Sequence, residues 1–409
     1  MGFMTGHIDG AGKLRKASPF VVAVAAVVLV LFASFIVYNG NGGQQEMDLD
    51  GDWHLIAYAE GYYEDGNIVY EEYGPKDLPD KVATFETIGD GIYSMHLDDK
   101  EYICVANNNT MMTGGVDEFT STSVLTKIGE AIVVSSFLSD EAGVASTILE
   151  RQDSEDRLQA ESKDALAEES YGLNEGGVYE AFIANQYTKD GIVDHLSENR
   201  SLTINRVEPG ILFYNSHGDQ TDLDFVAVRI SPNDWMAISD YDYGTWLIDM
   251  VHIEDGVVYT ASYDNTNGDI ELWQVCYGDK SKAVKVPSNL LGKRYEGTFN
   301  AYVEEGGEVL RSMDGEVAIS FDHVDSSTNV MEVTLYTLEG DSYMGAMLFP
   351  NGSGYSFYME SVYDNSGETF WGYYIGTISK DLKKITLVGT ADNADGTYMI
   401  FKNIFKLAE

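Results

Sequence analysis

The sequence predicts an all-β protein: three antiparallel meander, barrel-like units following one N-terminal transmembrane helix. Three observations carry that expectation. Aromatic residues make up 12% of the chain, with 27 Tyr, and they fall in runs of β-branched and apolar residues typical of strands. The 41 glycines punctuate those runs, whereas proline occurs only 7 times, so short strands alternate with tight turns. Finally, one pattern of opening strand, body and closing hairpin recurs three times along the chain.

The chain opens with residues 1–18, which carry Lys13, Arg15 and Lys16. Residues 19–38, PFVVAVAAVVLVLFASFIVY, contain no charge, and a helix of that length reaches roughly 30 Å, the thickness of a bilayer core. The run is longer than the apolar part of a secretory signal, and no small-x-small cleavage site follows it. It therefore reads as an uncleaved anchor. The basic flank places residues 1–18 in the cytoplasm and everything beyond the flexible linker 39–43 outside.

Three openings then resemble one another: GDWHLIAYAEGYYEDG (Gly51–Gly66), GGVYEAFIANQYTKDG (Gly176–Gly191) and GKRYEGTFNAYVEEGG (Gly292–Gly307). Each has a matching hairpin close, turning at Gly143, Gly268 and Gly396. The opening-to-closing separation is 92 residues in the first two units and 104 in the third. These repeats set the expected units at 44–152, 175–279 and 291–409. In unit one, strands are expected near 52–60, 67–73, 82–88, 91–98, 100–106, 118–127, 131–138 and 143–151. Closing such a meander removes its exposed edges. The linker 153–174 contains SEDRLQAESKDALAEES, which has no β-branched residue and an acidic first turn, and so predicts a surface or bridging helix. The second linker, 280–290, lies in a basic stretch with Lys280, Lys282, Lys285 and Lys293, expected to make a salt-bridged contact with a neighbouring unit.

Gly51-Asp52-Trp53, on the first strand of an expected eight-stranded meander, resembles the opening of the lipocalin and fatty-acid-binding superfamily. That resemblance implies lipocalin-like barrels in which Trp53 closes one end and Arg151, late in the unit, stacks over it by a cation–π contact. It also implies a cavity for a small apolar molecule. Unit two has Val178 and unit three Arg294 near the corresponding place, so a closing tryptophan is expected in unit one only.

The formal net charge is −42, with the acidic excess beyond residue 38. Such a surface repels nucleic acid, so nucleic-acid binding is excluded as a function. His54, His96, His195, His217, His252 and His323 show no metal-ligand spacing, and no nucleophile elbow or phosphate loop is present. The acidic clusters Asp48–Asp52, Asp240–Asp242 and Asp264–Asp269 lack calcium-loop spacing and read as turns. No catalytic residue, cofactor or metal is expected. Cys104 and Cys276 lie in different units, either as two buried thiols or as one inter-unit bridge. Asn108, Asn199 and Asn351 begin glycosylation sequons. The expected function is a non-enzymatic, membrane-anchored cell-surface protein that binds an apolar or amphipathic, lipid-like molecule. The alternative is a structural or adhesive ectodomain whose Tyr-rich faces meet a surface polymer.

Overall fold

The computed structural model describes residues 48–408, apart from 152–172 and shorter stretches between strands. The apolar run 19–38 and the helix expected within 153–174 fall outside the described residues. No described helix is long and apolar enough to cross a membrane. Regular structure among the described residues is strand, interrupted by 3₁₀ turns such as Lys280–Lys282 and Ser288–Leu290.

Barrel one comprises β1 (Gly51–Glu64), β2 (Asn67–Tyr73), β3 (Val82–Gly89), β4 (Ile92–Leu97), β5 (Lys100–Asn107), β6 (Thr110–Thr113), β7 (Ser123–Ile128), β8 (Ala131–Phe137) and β9 (Gly143–Arg151). Barrel two comprises β10 (Val178–Thr188), β11 (Gly191–Asp194), β12 (Ser201–Glu208), β13 (Ile211–His217), β14 (Asp222–Arg229), β15 (Asp234–Asp242), β16 (Thr245–Glu254), β17 (Val257–Asp264) and β18 (Glu271–Tyr277). Barrel three comprises β19 (Arg294–Glu305), β20 (Glu308–Val324), β21 (Val330–Thr337), β22 (Gly340–Asn351), β23 (Gly354–Asn365), β24 (Glu368–Ser379), β25 (Lys384–Asp392) and β26 (Tyr398–Leu407).

Each sheet is an antiparallel meander whose first and last strands meet. Barrel three closes with eight strands. The first two sheets have nine, not the expected eight, and close less completely. In barrel one, β7 covers the later part of the expected strand 118–127, and β6 is an additional short strand ahead of it. The four-residue β6 was missed because TMMT is too brief to show alternation. The additional strand is accommodated because β2 stands outside the ring. β1 pairs with β9 along Trp53–Tyr62 on one edge. Its other edge is shared: Gly51–His54 pair with β3, and Tyr58–Glu64 pair with β2. A seam therefore separates β2 from β3, where GPKDLPDK carries two prolines that cannot donate to a ladder. Barrel two repeats this arrangement, with β10 shared between β11 and β12. In barrel three a single 17-residue β20 runs the whole length of β19, so there is no seam. The excess residues of unit three thus lengthen strands.

The β1–β2 connection shows why the hairpin turns read so clearly. Asp65 (φ 51°) and Gly66 (φ 75°) are both left-handed, the type I′ pairing that matches strand twist. Asp255 (φ 51°) and Gly256 (φ 76°) repeat it between β16 and β17.

Barrel two is apolar on both faces of several strands. Leu212, Tyr214, Phe225, Ala227, Val251 and Tyr277 line its interior core. Their neighbours Ile211, Phe213, Val226, Val228, Val257 and Tyr259 point outward into a core shared with the other barrels. Continuous runs such as ILFY and FVAV, in place of alternation, reflect this double burial. Against barrel one, Phe213 meets Tyr63 edge to face at 5.7 Å, Ser135 donates to the Arg229 carbonyl at 3.2 Å, and Asn205 donates to the Tyr63 hydroxyl at 3.1 Å. Gly61 makes room there: a Cβ would lie 2.8 Å from the Phe213 ring. Against barrel three, His252 stacks on Phe349 at 4.3 Å. β25 and β26 of barrel three pack beside β5 of barrel one.

Candidate functional site

The two residues singled out in barrel one lie together, where β1 begins and β9 ends. Trp53 is fully buried, donates its indole N–H to the Leu49 carbonyl at 2.7 Å, and meets Phe85 edge-on at 6.4 Å. The Arg151 guanidinium carbon sits 5.0 Å from the Trp53 ring centroid. Strand pairing dictates this, because Trp53 and Arg151 are register partners across β1 and β9. Arg151 also donates to the carbonyls of Asp48 (3.1 Å) and Asp50 (3.2 Å) and pairs with the Asp48 carboxylate at 3.1 Å. It thereby fastens the incoming segment across the barrel floor, with Leu49 buried as a plug.

The other barrels have aromatic plugs too, each one residue later than Val178 and Arg294. Tyr179 packs on the core that contains Leu173, and its hydroxyl accepts from the Asn174 backbone N–H at 3.1 Å. Tyr295 is fully buried beside Leu290 and donates to the Leu382 carbonyl at 2.8 Å. In barrel two the one-residue offset has a physical origin. Barrels one and two correspond at the β-bulges in β1 (Leu55/Ala57) and β10 (Ala181/Ile183), not at their opening glycines. Aligned on the bulges, Tyr179 stands where Trp53 stands.

The lumen of barrel two holds a set of polar groups that no sequence motif announces. Asp249 on β16 is 5% exposed and shares the inner face with Val251 and Ile253. Its Oδ2 accepts from the Tyr214 hydroxyl at 3.5 Å, and its Oδ1 has no hydrogen-bond partner among the described residues. Burial lifts this carboxyl to about 7, while the Ser262 and Tyr214 hydroxyls hold it back. Tyr214 stacks on Phe225 at 5.0 Å. Tyr277 shares a hydrogen bond with Ser216 at 3.0 Å; burial raises its phenol, and Asp249 adds to the rise while Arg200 opposes it. Ala184, Ala227 and Ala237 belong to the same interior cluster, and Ala237 is the register partner of Asp249. Further along the wall, Trp273 carries His195 at 4.8 Å and Arg200 at 5.6 Å, and His195 bonds the Gln186 side chain at 3.1 Å. The flap beside them exposes Val193 (44%) and Leu196 (40%).

A second buried polar group lies between barrels two and three. His252 Nδ1 is 2.6 Å from Asp234, and Nε2 is 3.6 Å from Glu254. Burial would lower the imidazole pKa, but the Asp234 bond and charge, followed by Glu254, outweigh it and leave it above the ordinary value. From barrel three, Tyr358 faces Asp234; burial and then that carboxylate push its phenol up.

Cys104 and Cys276 are buried free thiols, and burial raises that of Cys276. Asn199 is exposed with a left-handed backbone (φ 46°), Asn351 ends β22, and Asn108 falls outside the described residues. Among the described residues no group of three or more His, Cys, Asp or Glu could hold a metal. In the second linker, Lys282 donates to the Asp255 backbone carbonyl of barrel two at 3.1 Å.

These features define an all-β protein of one closed and two partly open barrels, compatible with a lipocalin-like build. No protein-family model matches the chain, and no curated protein matches it. Similar solved structures include a DUF3598-family protein of unknown function from Nostoc punctiforme (8% identity, TM-score 0.27, covering 57% of this chain and 96% of that one). Transferrin binding protein B from Haemophilus parasuis, in a double-mutant form, gives 10% identity and a TM-score of 0.22, covering 87% and 75%. The isotype 1 protein of that name from Neisseria meningitidis gives 11% and 0.21, covering 88% and 76%. Likeness this weak assigns neither a family nor a function.

Proposed function

We propose that this chain is an anchored, extracytoplasmic, non-enzymatic binding protein whose second barrel holds a small apolar or amphipathic molecule. The observation that carries the reading is the barrel-two lumen, where Asp249, Tyr214 and Tyr277 converge among alanines inside an apolar wall. Sites for small molecules combine mostly apolar linings with a few placed polar groups. Anchoring rests on the uncharged run 19–38 and its basic flank. The three barrels are read as units with the expected boundaries, and no chemistry is assigned to them.

Barrel three favours a different role for itself. Its interior packs Phe321 against Tyr295 at 5.9 Å and against Phe357 at 6.1 Å, both edge to face. A core filled with rings suits a spacer or an adhesive module.

The test is titration of the full chain with Nile red, a neutral dye sensitive to polarity. Saturable one-to-one binding is expected, displaced by dodecanol and weakened by Ala237→Phe, which fills the lumen beside Asp249. Absence of saturable binding would leave the spacer reading for all three barrels.

A further inference from the structure

The charge state of the barrel-two lumen carries the reading one step further, and the step rests on the proposed lumen site. Asp249 is buried mid-barrel with one carboxylate oxygen unpartnered among the described residues. An ionised carboxylate held in an apolar interior is costly unless a cation or several donors meet it. The groups facing it are the Tyr214 hydroxyl from β13 and the Ser262 hydroxyl from β17, with Tyr277 of β18 nearby. Arg200 acts on Tyr277 and lies over Trp273. Oδ1 therefore remains open to a further donor. The Tyr214 ring, stacked on Phe225, lies beside Asp249, and ring faces attract cations. The net charge of −42 steers cations toward the protein and repels anionic amphiphiles.

We propose that barrel two selects amphipathic amines, seating a protonated amino group against Asp249 with the hydrocarbon part along the Trp273 wall toward the flap. The exposed Val193 and Leu196 give that hydrocarbon an apolar rim to cross. An alkylammonium group stays charged well above neutrality, as a lysine side chain does. The pH dependence of binding is therefore that of Asp249, whose carboxyl ionises near 7.

The experiment compares dodecylamine, dodecanol and dodecanoate, each below its micelle concentration, as displacers of Nile red from the full chain. Dodecylamine is expected to bind at least ten-fold more tightly than the other two, and to tighten between pH 6 and pH 8. Asp249→Asn, nearly isosteric, should remove that preference over dodecanol and its pH dependence. A thermal melt no lower than wild type shows that the variant is folded. Tyr214→Phe should keep the preference. Equal binding of the three displacers, or an amine preference that survives Asp249→Asn, overturns the head-group assignment and leaves the lumen site standing. Failure of the wild type to bind Nile red overturns both.

Discussion

Removing Trp53 tests how the floor of barrel one is held. Trp53→Ala deletes a fully buried indole, its 2.7 Å bond to Leu49, and the edge contact with Phe85. Truncations of this kind cost about 3–5 kcal/mol, and the Leu49 carbonyl is left without that donor. Arg151→Ala removes the guanidinium over the ring and two donations to backbone carbonyls. The ring contact contributes about 0.5–2 kcal/mol. The ion pair with Asp48 adds little, because the Asp48 side chain is 72% exposed. Both changes remove the same ring contact, so the double variant should lose less than the sum, with a coupling of about 0.5–1.5 kcal/mol. Hydrogen exchange of β1 and β9 amides in the full chain, followed across a urea series, isolates barrel one from the rest. Additive losses would refute the stacking argument, and a Trp53→Ala cost under about 1 kcal/mol would refute the plug itself.

Further perturbations address the other barrels. Asp249 has a folded pKa near 7, well above the ordinary carboxylate value, so its contribution to stability is fullest below about pH 4 and is lost as pH rises toward 7. Asp249→Asn should therefore stabilise the protein at pH 8, by up to about 4 kcal/mol, and leave stability at pH 4 nearly unchanged in calorimetric scans. His252 has the same sign: its raised pKa contributes stability present in full below about pH 6.5 and lost as pH rises through the folded value. Thermal melts from pH 5 to 9 should show an alkaline decline that His252→Gln flattens. Gly61→Ala drives a methyl toward Phe213 and should cost about 1–3 kcal/mol, relieved in part by Phe213→Leu. Protease added to intact cells should remove a C-terminal tag and spare an N-terminal one; the reverse pattern would sink the proposed topology.

The hairpin turns were legible because Asp-Gly pairs at 65–66 and 255–256 admit few conformations other than the one seen. The extra strand was not, since a four-residue segment such as Thr110–Thr113 gives no periodicity to read. The aromatic plugs Tyr179 and Tyr295 were not expected, because glycine spacing points one residue earlier, to Val178 and Arg294. In barrel two the bulge in β10 shifts the correspondence with Trp53 to Tyr179. Asp249, Tyr214 and Tyr277 lie 28 to 63 positions apart in sequence. They meet through the stagger of strands around a ring, and no local pattern encodes that. Runs such as ILFY in β13 did carry a signal of burial on both faces, but a single chain does not say what covers the second face.

That second face has a consequence for how the protein is made. Barrel two has its own ring complete once β18 has emerged, yet Phe349 and the rest of barrel three are still to be synthesised. Ring closure joins strands about ninety residues apart, which makes it slow among folding events. During that interval the outward face bearing Tyr259 lacks its barrel-three cover, and each large side chain left bare forgoes roughly 1.5–3 kcal/mol of burial. Nascent chains in this condition are prone to stick to one another. Most of the acidic excess lies before barrel three, so half-finished copies repel each other until the last barrel docks.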